Sequence, residues 1–185
     1  MPPLSGHACQ KRSVNSQPTI LAGRVKDLLW IRVEGKGSFQ NSGQLKEFAH
    51  TMIDKGNSAM VVDLEDCPVM DSTFMGTLSG IGLKLMQAGR LHIINANERN
   101  RKLLVNLGLD HILAIEGSES KWSDESRAVS PSLTGNAGEQ LDKEETRKLM
   151  LEAHRTLGEV NPENLPRFKD VIEYLQEESQ QEEGR

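Results

Sequence analysis

Apolar positions between residues 20 and 115 recur in two alternating periods. Ile20–Val25 and Leu28–Val33 are short apolar runs on either side of Lys26-Asp27, the pattern of an antiparallel hairpin. Asn41 or Ser42 then offers a cap for a helix running to Lys55. Its Leu45, Phe48, Ala49, Met52 and Ile53 fall on one face at i, i+3, i+4, i+7 and i+8, and Gly56-Asn57 ends it. Ala59–Asp63 reads as a buried strand, Ser72 to Ala88 as a second helix and Leu91–Ile94 as a further strand. Glu98–Leu107 predicts a third helix closed by Gly108, and Ile112–Ile115 a last strand. Strands that alternate with helices need crossover connections, so the pattern predicts an α/β fold. Its sheet is mixed, parallel for the most part with the hairpin at one edge, and helices pack on it.

The pattern also divides the chain. Residues 1–19 are polar and aperiodic, too poor in apolar groups to offset the entropy of ordering, and read as a disordered tail. Residues 20–116 form the folded domain, and 117–140, polar again through Ser-Glu-Ser-Lys and then Ser-Pro-Ser-Leu-Thr-Gly-Asn-Ala-Gly, read as a flexible linker. Residues 141–178 predict a helical hairpin. Asp142 and Glu145 have capping-box spacing, and Leu149, Met150, Ala153 and Leu157 share one face of the first helix. Asn161-Pro162-Glu163 breaks the chain before a second helix carrying Leu165, Phe168, Ile172 and Leu175. Two such faces are not covered by each other alone. The hairpin therefore either packs on the domain or serves on a tether as a partner-binding or homodimerising module. Residues 179–185 read as a solvated acidic tail.

Charge narrows the function. The net charge is −5, but residues 1–26 carry +4, residues 27–115 hold ten acids and nine bases, and residues 116–185 hold seventeen acids and nine bases. A nearly neutral domain with an acidic rear argues against nucleic acid, whose binding rests on a basic surface. No apolar run approaches the ~20 residues of a membrane span, and the first residues lack the apolar core of a secretory signal. A soluble cytoplasmic protein, with no membrane insertion, is expected. Two cysteines, Cys9 and Cys67, exclude a disulfide framework and a Cys-rich zinc site. The five histidines (7, 50, 92, 111 and 154) show no ligand spacing and read as surface or strand residues, so neither metal nor cofactor is expected.

The chemistry concentrates in Val61-Val62-Asp63-Leu64-Glu65-Asp66-Cys67-Pro68-Val69-Met70-Asp71-Ser72-Thr73-Phe74-Met75-Gly76. A buried strand leaves through an acidic turn, and Asp71-Ser72 sits where a helix begins. Asp and Ser there are ordinary N-caps, since their oxygens accept from unpaired amides. A hydroxyl at that point is also well placed to carry phosphate, because free amides and the positive end of the helix dipole face the added charge. Beside Asp71 that charge, about −1.5 to −2, would reverse the local surface with little change of fold. Spacing alone leaves both readings open. Other nucleophile signals fail: Gly76-Thr77-Leu78-Ser79-Gly80 lacks the nucleophile-elbow spacing, Gly80-Ile81-Gly82 lacks a dinucleotide fingerprint, and Cys67 has no cation beside it.

That acidic turn and Asp-Ser, preceded by Leu28-Leu29-Trp30-Ile31-Arg32-Val33-Glu34-Gly35, followed by Ala88-Gly89-Arg90-Leu91-His92-Ile93-Ile94-Asn95-Ala96 and by Leu107-Gly108-Leu109-Asp110-His111-Ile112, resemble the STAS domain of anti-sigma-factor antagonists. The likeness runs from about Ile20 to Ile115. It implies a non-enzymatic switch in which Ser72 is the phosphoacceptor, with Thr73 as second choice. The partner implied is an anti-sigma factor that is itself a serine-protein kinase, sequestered by the unmodified form, and a cognate phosphatase restores Ser72. Asp71, Thr73, Phe74, Gly76 and Ser38 make up the expected surroundings. Two positions depart from the family pattern: Phe74 stands where a Gly is common, and Ser38 where an Asp often lies. Phe74 is expected to be partly exposed as an aromatic anchor; enclosed, it would shift recognition to the loops Gly35–Gln40 and Asn95–Arg99. The alternatives are a STAS subunit or scaffold of a membrane transporter or lipid-transport complex and, in a different class, an enzyme using Ser72 or Cys67.

Overall fold

The computed structural model describes residues 19–117, 122–135 and 141–183. The expected N-terminal tail lies outside them, save Thr19. In chain order the elements are β1 (Thr19–Val25), β2 (Leu28–Glu34), α1 (Phe39–Asp54), β3 (Ala59–Asp63), α2 (Ser72–Leu85) and β4 (Arg90–Ile94). Then come α3 (Glu98–Asn106), β5 (Leu113–Ile115), α4 (Ser123–Val129), β6 (Thr134–Gly135), α5 (Lys143–Val160) and α6 (Leu165–Glu183).

The sheet order is β5-β4-β3-β2-β1-β6. β1 and β2 pair antiparallel through the two-residue turn at Lys26-Asp27, with Val25 opposite Leu28, while β2, β3, β4 and β5 run parallel. Each parallel strand is added on the same side of the last. Right-handed crossovers then place α1, α2 and α3 on one face of the sheet. Period-2 alternation supplies that face: Leu29, Ile31 and Val33, then Met60 and Val62, then Leu91 and Ile93, packed with Leu45, Phe74, Leu78 and Leu104 of the helices.

Several boundaries differ from expectation for local reasons. α1 starts at Phe39 rather than after Asn41 or Ser42, because Ser38 takes extended backbone as N-cap and Asn41 Oδ1 accepts its amide at 2.9 Å. α2 ends at Leu85, short of Ala88. α6 runs to Glu183 through most of the expected acidic tail, since Gln and Glu are good helix formers.

The larger correction concerns 122–135 of the expected linker; 118–121 and 136–140 lie outside the described residues. α4 lies against the second face of the sheet and β6 pairs with β1. Val129 and Trp122 cover Trp30, Val61 and Ile94, with Leu133 beside them. Trp122, Ser126 and Val129 share one helical face, but a serine at its centre hides the periodicity. Ser126 earns that place through Arg32, whose Nη2 donates to its Oγ at 2.9 Å. Arg32 also pairs with Asp63, which is fully buried: Nη2 lies 2.9 Å and Nε 3.0 Å from Oδ2.

The C-terminal hairpin packs on the domain. Leu157 enters the main core, and α5 lies across α2 and α1. Its turn is pinned by Asn164, whose buried Nδ2 donates to the carbonyls of Leu107 (3.0 Å) and Leu157 (2.9 Å).

Candidate functional site

The loop leading to Ser72 is held from two sides. From the β2–α1 loop, Gly35 N donates to Asp66 O (2.9 Å) and Gly37 N to Val69 O (3.0 Å), and Asp71 N returns a bond to Gly37 O (2.9 Å). From the start of α3, Asn97 Nδ2 donates to the carbonyls of Cys67 (3.2 Å) and Pro68 (3.1 Å), and Asn100 Nδ2 to that of Cys67 (2.9 Å). Asp71 follows as N-cap of α2. Its Oδ1 accepts from Phe74 N at 2.9 Å and its Oδ2 from Phe39 N at 3.1 Å, so one carboxylate ties together the N-termini of α1 and α2. Both helix dipoles favour its charge. Ser72 is then the first residue of α2, partly exposed, among the first-turn amides that a helix leaves without intrahelical partners.

The other predicted residues separate. Thr73, 3% exposed, is turned into the protein. Phe74 is 0% exposed, contrary to the expected partial exposure. Its ring lies against Gly37, where a Cβ would come within 2.8 Å of it, and it packs in the main core. The Phe74 ring fills the space under the β2–α1 loop. Ser38 is buried as the cap of α1, with its Oγ lacking a hydrogen-bond partner among the described residues. The aromatic presented beside Asp71 is Phe39, 42% exposed. Gly76 faces the hairpin: a Cβ there would lie 2.3 Å from Ala153 O, so α5 seats directly on α2 because residue 76 has no side chain.

That seat brings in His154, expected on a surface or a strand and found buried in a helix. His154 is 3% exposed, and its Nε2 lies 2.8 Å from Ser72 Oγ. Its Nδ1 is 2.7 Å from Met150 O, and its ring meets Phe168 edge-on at 5.1 Å between centroids. One signal was available: His154 lies between Met150, Ala153 and Leu157 on the apolar arc of α5, not on a surface or a strand. Cys67 is buried, and burial pushes its thiol up, which disfavours the reactive thiolate. Among the described residues no group of three or more His, Cys, Asp or Glu side chains is placed to hold a metal, and no helix is long and apolar enough to cross a membrane.

A family model described as the STAS domain matches residues 19–121, just over half of the chain. The chain belongs to the STAS-domain family. No curated protein matches it. Among solved structures it is similar to a Thermotoga maritima protein assigned as an anti-sigma factor antagonist, at 21% identity and TM-score 0.51, over 57% of this chain and 92% of that one. It is also similar to an anti-sigma factor antagonist from Mycobacterium paratuberculosis, at 18% identity and TM-score 0.52, over 61% of this chain and 94% of that one. At these identities the likeness is one of fold. The α5–α6 hairpin lies beyond the matched STAS segment.

Proposed function

We propose that this STAS protein is a non-enzymatic, cytoplasmic antagonist of an anti-sigma factor, switched by phosphorylation of Ser72. Unmodified, it binds a partner that is both anti-sigma factor and serine-protein kinase. Phosphorylated, it releases that partner, and a phosphatase resets it. The observation that carries this reading is the position of Ser72, partly exposed in the first turn of α2 beside the Asp71 carboxylate. Phosphate there gains from the helix terminus and is repelled by Asp71, so its cost to the fold is small while the surface gains about −1.5 to −2 of charge. With α5 over the Gly76 side of α2, a partner approaches from the side of Phe39 and the loop 35–38. Incubating the full chain with ATP and the serine-protein kinases encoded beside its gene, then mapping phosphopeptides, tests this. Modification anywhere but Ser72, or none, defeats it.

Ser72→Asp should weaken partner binding, and the ~0.3–1 kcal/mol that an acid gains at a helix N-terminus should offset only part of the loss of the hydroxyl that meets His154 Nε2. Ser72→Ala should bind constitutively but lose about 1–3 kcal/mol of stability, because His154 Nε2 is left buried without a partner. Equal partner affinity of the two variants in titration calorimetry would show that charge at this site is not what the partner reads. Phe39→Ala should weaken partner binding by about 2 kcal/mol as loss of an exposed aromatic anchor, with folding stability changed by less than ~0.5 kcal/mol.

A further inference from the structure

Ser72 and His154 have the geometry of an activated nucleophile. The oxygen and Nε2 are 2.8 Å apart, within hydrogen-bond reach. A carbonyl oxygen only accepts, so the 2.7 Å contact with Met150 O places a hydrogen on Nδ1. In the neutral ring Nε2 then carries the lone pair, and the Ser72 hydroxyl donates to it. The ring cannot easily turn away, being 3% exposed and packed edge-on against Phe168. Its backbone is fixed by the direct seat of Ala153 on Gly76 and by Asn164 at the hairpin turn. Nucleophile, base and orienting carbonyl are thus held in place by contacts from α2, α6 and the hairpin turn.

We propose that Ser72 and His154 are a nucleophile–general-base pair whose electrophile is a phosphoryl group, His154 being the base that the hairpin adds in cis to the partner kinase's reaction, so that the chain is still a substrate and not an enzyme. The phosphorylation arm of this proposal rests on the reading of Ser72 as phosphoacceptor. In the step, Ser72 Oγ bonds to the γ-phosphorus of a nucleoside triphosphate held by the partner kinase. The bond from that phosphorus to the bridging oxygen breaks, the nucleoside diphosphate leaves with the electron pair, and the Oγ proton passes to His154 Nε2. With its proton turned toward Nε2, Ser72 Oγ keeps its lone pairs for the electrophile. The first-turn amides of α2 face the negative charge that arrives. The imidazolium formed then stands beside the new phosphoserine as its counter-charge. The family match ends before α5, so this base is an addition to the STAS domain.

The test uses the full chain as wild type, His154→Gln and His154→Ala, with thermal melts to check folding. Gln retains a group that can accept from Ser72 but cannot take its proton. Ser72 phosphorylation by the partner kinase with ATP, followed in single turnover, is expected to slow about 10²-fold in His154→Gln. In His154→Ala, added imidazole should restore part of the rate. A kinase-free arm measures labelling of Ser72 by a fluorophosphonate, expected to fall by a similar factor of about 10² in His154→Gln. Equal, measurable rates in wild type and His154→Gln, in either assay, overturn the pair. Equal phosphorylation in the two would leave the switch standing without the pair. His154-dependent labelling with no phosphorylation by any kinase would leave the pair standing and remove the switch.

Discussion

Phe74→Ala is expected to lower unfolding free energy by about 3–5 kcal/mol, the range for truncating a buried phenylalanine. The ring is fully enclosed, with Gly37 against its face and the main core around it. Gly37 is held by backbone bonds to Val69 and Asp71, so the wall over the ring cannot easily collapse into the space left behind. Since domains have only about 5–15 kcal/mol to lose, this variant should melt far below the wild type. Urea denaturation measures the loss, with Phe39→Ala as the exposed aromatic control one cap away. A loss below about 1 kcal/mol would mean that the ring is not part of the core.

Arg32→Met is expected to cost a comparable 3–5 kcal/mol, for a different reason. It leaves the fully buried Asp63 carboxyl without the two guanidinium contacts at 2.9 and 3.0 Å. Trp30 Nε1 at 3.3 Å, Asn95 Nδ2 at 2.9 Å and the Glu65 amide at 3.1 Å remain, but none supplies positive charge. Ser126 and Ser130 lose their donor as well, so α4 should loosen from the sheet. Adding Asp63→Leu should recover much of the loss, because a buried ion pair is often replaced by apolar groups at little cost. Denaturation midpoints of the single and double variants, with hydrogen exchange over 123–129, report both effects. A single variant as stable as the double would show that the remaining donors suffice for Asp63.

The missed helix α4 and the misplaced Phe74 share a cause. Periodicity reads one residue type at a time, and Ser126 is polar by type though its hydroxyl is satisfied by a buried arginine from β2. Phe74 lies at the start of a helix, where local rules favour exposure, and only the β2–α1 loop folding over it makes the position interior. His154, which reads as a surface or strand residue among five scattered histidines, is instead buried in a helix, and its place on the apolar arc of α5 is visible in the chain.

The sequence by itself determined the alternation of strands and helices, the hairpin at Lys26-Asp27, the Asp71 cap and the start of α2 at Ser72. It also set the two amphipathic faces of the C-terminal hairpin. Each of these rests on interactions within about four residues, or on a period that repeats along the chain. Tertiary structure alone decided that Phe74 is enclosed, that Asp71 caps two helices and that Arg32 and Asp63 meet beneath α4. It alone put His154 on Ser72, 82 residues away. Those contacts depend on which faces pack together and how closely. Here that was set by small residues such as Gly37 and Gly76, whose missing side chains leave no periodic trace.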